Sequence, residues 1–532
     1  MMRETVAGES VKSKAAINEK TKDERIKDEK INGGGASDGI PDTPLAGVIN
    51  VLSLLRFAFP SMVMMVFMGL YTIADTVFVS RFVNADALAS VNIACPAINL
   101  IVGFGTMLAA GGSAVVAAKM GCGRLREACR DFTVIILAGA VIGAGIMAGG
   151  LSFLDEIAAG LGASEVLMPY CWEYLKIQFL FAVGNMLQVL YQNLLVTAGK
   201  PKLGLILSVL AGLANLVFDW LFIVRMEMGI GGAALGTGIG YLIPAVCGTV
   251  FFLRKKDGLR FCFSEIAVGF PGIAAIFPKL GAIFPGADAG SEAAAGVLKK
   301  SCLNGASEMV SQMSAAVTTF LFNGVMMGLS GEDGVAAITV IIYSQFLLTT
   351  LYIGFSMGCA PVLSFHYGSG DTERLRKTIK ACLGVVGTVS VGVFFFSLLA
   401  GESIAGLFAG DNEKVFWLAK TGFFYFSFSF LFSGYNILTS AMFTALSDGR
   451  RSAAVSFLRT FGFITVFLLV LPHFLQETGV WLAIPAAEIC TSLAAGLVWR
   501  CRKKSGSETV IFRRFWRAQL PVDKLTGVIS GM

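Results

Sequence analysis

The sequence predicts an all-α polytopic membrane protein with twelve transmembrane helices. They form two six-helix lobes related by a pseudo-two-fold axis along the membrane normal. Three observations lead there: a composition too apolar for water, twelve separate apolar runs of membrane-spanning length, and a second half that repeats the first at a nearly constant offset. Of 532 residues, 55% are apolar and 15% charged, whereas soluble domains are about 25% charged. The deficit is deeper than it looks, because residues 1–45 alone hold 17 of the charged side chains. A disordered chain, a coiled coil, a nucleic-acid binder and an ordinary soluble enzyme are excluded on these grounds. The net charge is only +6, and the basic residues lie in short clusters between apolar runs, a membrane pattern and not a phosphate-binding face.

Crossing the hydrocarbon core takes about 20 apolar residues per helix. The segments that qualify are 53–80, 88–118, 132–152, 166–196, 203–224, 231–253, 301–328, 334–364, 379–400, 415–444, 453–472 and 479–499. Lipid offers no water to backbone amides, so such runs must be helical. The short alternating segments of a β-barrel are absent. Residues 1–45 lack a signal-peptide core and read as a disordered cytoplasmic tail. The N-lobe is expected over 46–253, a Gly/Ala/Pro-rich cytoplasmic linker over 254–300, the C-lobe over 301–500 and a cytoplasmic tail over 501–532.

Basic residues concentrate after the even-numbered helices, as Lys119, Arg124, Arg126 and Arg130, then Lys200 and Lys202, and later Arg374, Arg376, Lys377 and Lys380. Positive residues stay cytoplasmic, which places both termini inside and the chain in the cell (inner) membrane. A shift of 247 superimposes Asp86 on Asp333, Gly111 on Gly358 and Gly121 on Gly368. A shift of 250 later places Gly199-Lys200 on Gly449-Arg450. Six helices per repeat is even, so both lobes enter the membrane in the same sense and flank one cavity, the architecture of alternating access.

Charges inside a span are costly and mark function by default. Asp75 on helix 1 and Asp219 on helix 5 each lie about two turns from the outer end of their helix. Thr237 lies at similar depth on helix 6, and Asn215 shares the Asp219 face one turn deeper. Two carboxylates, an amide and a hydroxyl on three helices make an oxygen cage for a small hard cation such as Na⁺, or a proton-binding pair that titrates as a unit. The blander alternative is hydrogen bonding between helices or pairing with Lys176. The repeat argues for function, because the counterparts of these four residues are Phe322, Thr465, Leu469 and Ala487. Glu308, Arg459 and Glu488 form a second charged set in the C-lobe, either a structural Glu308–Arg459 ion pair or a substrate site. Pro60 removes a backbone hydrogen bond from helix 1 and permits a bend. The eleven cysteines form no CxxC pair and read as small apolar filler, two histidines give no metal-ligand spacing, and no nucleophile–base pair points to an enzyme.

The segments "FPSMVMMVFMGLYTIADTVFVSR", "TAGKPK", "NLVFDWLF…MGIGGAALGTGIGY" and "GVWLAIPAAE" resemble the multidrug and toxic compound extrusion (MATE) family, in its DinF-like and MepA-like branches, across residues 50–500. The resemblance implies a secondary antiporter that exports organic cations or drugs in exchange for Na⁺ or H⁺, without a cofactor and as a monomer in the lipid bilayer. In the DinF-like pattern a helix-1 Asp, an Asn-x-x-x-Asp on helix 5 and a helix-6 Thr form the cation site, which Asp75, Asn215, Asp219 and Thr237 match. Pro60 matches the helix-1 proline associated with bending, and Glu308 resembles a helix-7 acid of other branches. The competing expectations are a flippase of a lipid-linked intermediate from the same superfamily and a transport-inactive membrane scaffold.

Overall fold

A computed structural model of the chain describes residues 44–48, 50–263, 294–409 and 412–503. The expected linker core at 264–293 and most of both expected tails, 1–43 and 504–532, lie outside them. The spans are α1 (Val51–Phe82), α2 (Ala85–Gly121), α3 (Leu125–Ser152), α4 (Met168–Leu180 with Ala182–Thr197), α5 (Pro201–Asp219, continued by a π turn, Trp220–Arg225) and α6 (Gly229–Arg254). The next helical stretch, Ala294–Gly368, is broken at Gly331 (φ 63°, ψ −147°) into α7 (294–330) and α8 (332–368). Only glycine adopts that conformation freely, so this one residue supplies the hairpin between two spans. Then come α9 (Thr372–Ala409), α10 (Glu413–Ser427 with Phe430–Ala445), α11 (Gly449–Phe457, a π turn Leu458–Gly462, then Phe463–Leu475) and α12 (Glu477–Lys503). The twelve spans sit where the apolar runs predict.

The repeat is visible in the bends. α4 breaks by 54° and α10 by 55°, at Phe181 and around Phe428, which a shift of 247 superimposes. It is also visible where the lobes meet. At Gly121 a Cβ would overlap the carbonyl of Phe365, and at Gly368 it would overlap the carbonyl of Ala118. The same shift carries Gly121 and Ala118 onto Gly368 and Phe365, so each contact is the image of the other about the pseudo-two-fold axis. Gly111 against Gly305 and Gly358 against Ala58 form a second such pair. Backbone-to-backbone approach of this kind is the usual way helices associate where lipid removes the hydrophobic driving force.

Several boundaries differ from expectation. α7 begins at Ala294, seven residues before the predicted span, and Leu45, placed at the end of the tail, is fully buried. The first residues of the predicted linker pack back on the N-lobe: Leu259 is buried, the Phe261 ring lies 5.2 Å from that of Phe132, and the Cys262 amide donates to Thr133 Oγ1 (2.9 Å). Lys119 and Arg130, read as loop cations, both close on the fully buried Asp131 at the foot of α3, at 2.5 and 3.0 Å. An acid that enters the lobe interior needs such partners.

Candidate ion chamber in the N-lobe

α1, α5 and α6 come together because α6 offers no side chain where α5 needs room. Gly232, Gly236 and Gly240 repeat every fourth residue, so they line one face of α6. That face receives Phe222, Asp219 and Asn215 in turn, and a Cβ on Gly236 would overlap Asp219 Oδ1. Asp219 itself is fully buried. The π turn begins with the next residue, Trp220, and single π turns within α-helices cluster at functional sites.

All four residues of the predicted site are brought together. The carboxyl groups of Asp75 and Asp219 meet side chain to side chain. Asn215 Nδ2 donates to Thr237 Oγ1 at 3.3 Å, and the Thr237 hydroxyl donates on to the Ala233 carbonyl at 3.0 Å. Among the described residues no donor reaches Asp75 Oδ1, Asn215 Oδ1 or either carboxylate oxygen of Asp219, and all four atoms are buried. Buried polar atoms are seldom left so, and unpaired ionised ones are far more costly. Four such oxygens so close together make an acceptor-only cluster, a donor set of the type that suits a proton or a hard cation. Lys176 takes no part: it is exposed, with Nζ 4.5 Å from the centre of the Trp172 ring.

The sequence reading missed the chamber walls. Tyr71, Tyr174 and Tyr241 all lie close enough to Asp75 to feel its charge, and Tyr71 is within hydrogen-bonding reach of Gln188. The signal was present, since Tyr71 is one helical turn from Asp75 and Tyr241 one turn from Thr237. The fourfold glycine spacing in α6 could likewise have been read as a close-packing stripe.

The second charged set is arranged differently from the expected Glu308–Arg459 pair. Arg459 Nε donates to Glu488 Oε1 at 2.9 Å, while Glu488 Oε2 accepts from Asn436 Nδ2 at 2.6 Å. Ser492 completes the chain by donating to Asn436 Oδ1 at 2.9 Å. Arg459 sits in the π turn of α11, which turns the guanidinium toward α12. Glu308 lies near enough to feel its charge but forms no ion pair with it. The Arg459–Glu488 pair lines a cavity of about 220 Å³ with Phe322, Phe346 and Thr349. Pro60 is buried within α1, which runs unbroken from Val51 to Phe82.

The family model described as MatE matches this chain twice, over residues 60–221 and 309–470. The chain belongs to the MatE family. The two matched stretches are equal in length and fall one on each lobe, at an offset of 249 that lies between the two shifts of the internal repeat. Among curated relatives, the multidrug export protein MepA of Staphylococcus haemolyticus is 23% identical over 85% of this chain and 94% of its own length. MepA of Staphylococcus aureus strain MRSA252 is 20% identical over 86% and 95%. Among solved structures, a MATE protein in complex with MaL6 superposes with a TM-score of 0.77 at 20% identity, covering 88% of this chain and 99% of its own. A MOP superfamily transporter from Pyrococcus furiosus gives 0.76 at 20% identity. These likenesses establish the fold: a two-lobed, twelve-helix membrane protein.

Proposed function

We propose that the protein is a secondary active antiporter that exports organic cations or drugs in exchange for Na⁺ or H⁺ by alternating access. The observation that carries this reading is the group of four unpaired buried oxygens contributed by Asp75, Asn215 and Asp219, with Thr237 bound to the amide. Two carboxylates in contact repel when both are ionised. A shared proton or a desolvated Na⁺ removes that repulsion and supplies what the orphaned oxygens lack. The gain is realised only while α1, α5 and α6 stay together, so ion capture biases the lobe toward that arrangement. α1 also carries Pro60, fifteen residues before Asp75, where the missing hydrogen bond lowers the cost of bending. Exit of the ion releases the constraint and lets the helix move against its neighbours.

The relatives named as multidrug export proteins support an exported drug-like substrate, and the Phe322 and Phe346 rings in the C-lobe cavity suit one. The basic ends of the spans belong on the cytoplasmic side, with both termini inside the cell and residues 254–300 joining the N-lobe (46–253) to the C-lobe (301–500). Each chain holds both lobes and a whole acid chamber, so one copy suffices.

The test is efflux of a fluorescent organic cation from cells or proteoliposomes, with Na⁺ and pH gradients imposed separately. The gradient that drives efflux identifies the ion. Asp75→Asn and Asp219→Asn each reduce driven efflux to background while the protein remains folded in the membrane. Undiminished transport in both variants would overturn the assignment.

A further inference from the structure

The basic end of the N-lobe carries a groove. It has a volume of about 430 Å³ and lies between the beginnings of α1 and α5. Phe57, Pro60 and Leu203 give it an apolar wall, and Arg56, Lys200 and Lys202 line it with exposed cations. Among the described residues none of these three side chains forms an ion pair. A fourth cation stands nearby. Lys255, half-buried beyond the end of α6, has its ammonium group pushed below the usual lysine range by burial first and by Lys200 second, with Asp257 offsetting part of the effect.

The internal repeat supplies a control. The counterparts of Lys200 and Lys202 are Arg450 and Ser452, and the next basic residue, Arg451, is neutralised by Asp448. The counterpart of Arg56 is the uncharged Leu303, whose carbonyl lies where a Cβ on Gly449 would stand. At the matching place in the N-lobe, Gly199 (φ 74°) faces the ring of Pro44. Beyond Lys202, the same face of α5 presents Ile206, Leu210, Leu213 and Val217, which are 54%, 49%, 48% and 61% exposed. Unpaired cations at the foot of an outward apolar track match an amphiphile with an anionic head and a hydrocarbon chain.

We propose that this groove binds an anionic phospholipid, its headgroup phosphate held by Arg56, Lys200 and Lys202 and one acyl chain laid along α5. The leaflet, the inner one, rests on the orientation given above; the site itself does not. A bound headgroup bridges α1 to α5, the two helices that carry Asp75 and Asp219, and sits against the turn containing Pro60. The lipid thereby joins the set of contacts that change when α1 moves.

Native mass spectrometry of the full chain released from detergent tests this without any ion gradient, so its outcome is independent of the efflux assay. The probes are phosphatidylglycerol, phosphatidylcholine and inorganic phosphate. The wild-type chain retains phosphatidylglycerol in preference to phosphatidylcholine. The triple variant Arg56→Gln/Lys200→Gln/Lys202→Gln retains one phosphatidylglycerol fewer, and a control stripped of the same charge elsewhere, Arg374→Gln/Arg376→Gln/Lys377→Gln, keeps it. The single variant Lys202→Gln shows a partial loss and carries the test if the triple variant does not fold. Equal loss in groove variant and control, no loss in the groove variant, or displacement of the lipid by inorganic phosphate would each overturn the proposal.

Discussion

The two lobes share one fold and treat their buried charges in opposite ways. In the C-lobe, Glu488 is 3% exposed and both of its oxygens are engaged, one by Arg459 and one by Asn436. In the N-lobe, Asp219 is equally buried, yet neither of its oxygens meets a donor among the described residues. The first arrangement satisfies itself. The second is complete only with a guest. The counterparts of the N-lobe acids show that the fold does not require them: Phe322 and Ala487 are buried apolar residues, and Leu469 is 59% exposed on the lipid face. A buried acid whose image in the repeat looks outward has been placed by something other than packing symmetry. The difference teaches that duplication fixed the scaffold and that the charge chemistry was set lobe by lobe.

Four measurements can break or sharpen this contrast. The largest effect is expected in transport, where Asp219→Asn takes driven efflux to background, whereas Glu488→Gln, which keeps a polar group of the same shape, leaves measurable driven efflux. Equal loss in both would place coupling in both lobes. In stability the order reverses. Glu488→Ala leaves the half-buried Arg459 and the buried Asn436 without their shared acceptor and costs about 2–3 kcal/mol, read as a lower unfolding temperature in detergent, and Arg459→Met/Glu488→Leu together recover most of it. Asp219→Asn shifts unfolding by no more than about 1 kcal/mol, because asparagine keeps the shape and can still meet the Asp75 carboxyl group. If Asp219→Asn destabilised as much as Glu488→Ala, the distinction would fall.

The third effect lies at the lobe seam. Gly368→Ala puts a methyl group into the Ala118 carbonyl and costs about 1–3 kcal/mol as overpacking, and Gly121→Ala, its image in the repeat, costs a similar amount by the same unfolding assay. Unequal costs would show that the seam is less symmetric than its geometry. The smallest effect is Gly236→Ala, whose methyl displaces one Asp219 oxygen. It weakens the apparent affinity for the coupling ion about tenfold, or about 1.4 kcal/mol, measured as the ion concentration giving half-maximal efflux. Gly324→Ala, which opens onto free space, leaves that concentration unchanged.

Much of this was legible in the chain. The twelve apolar runs gave the spans because helix length and bilayer thickness are fixed quantities. Asp75, Asn215, Asp219 and Thr237 could be grouped by depth alone, since rise per residue converts position into height. The Arg459 partner could not be read this way. Glu308 and Glu488 both lie within reach of its level, and choosing between them depends on which way α11 faces after its π turn. The tyrosines around Asp75 were overlooked for a related reason: three separate helices supply them, and no spacing within one helix links all three.

Sequence alone determined what must leave water, how often the chain crosses the membrane, and that the crossing pattern is repeated. Those follow from one-dimensional quantities: hydropathy, run length and offset. The tertiary structure decided the direction in which each buried group points. Each π turn inserts one residue and rotates everything beyond it by about 100°. In α5 that turn begins just after Asp219, and in α11 it comes before the residue equivalent to Asp219. The same repeat therefore presents an acid to the interior in one lobe and a leucine to the lipid in the other. Such a rotation leaves hydropathy and offset nearly untouched, which is why only the packed helices reveal it.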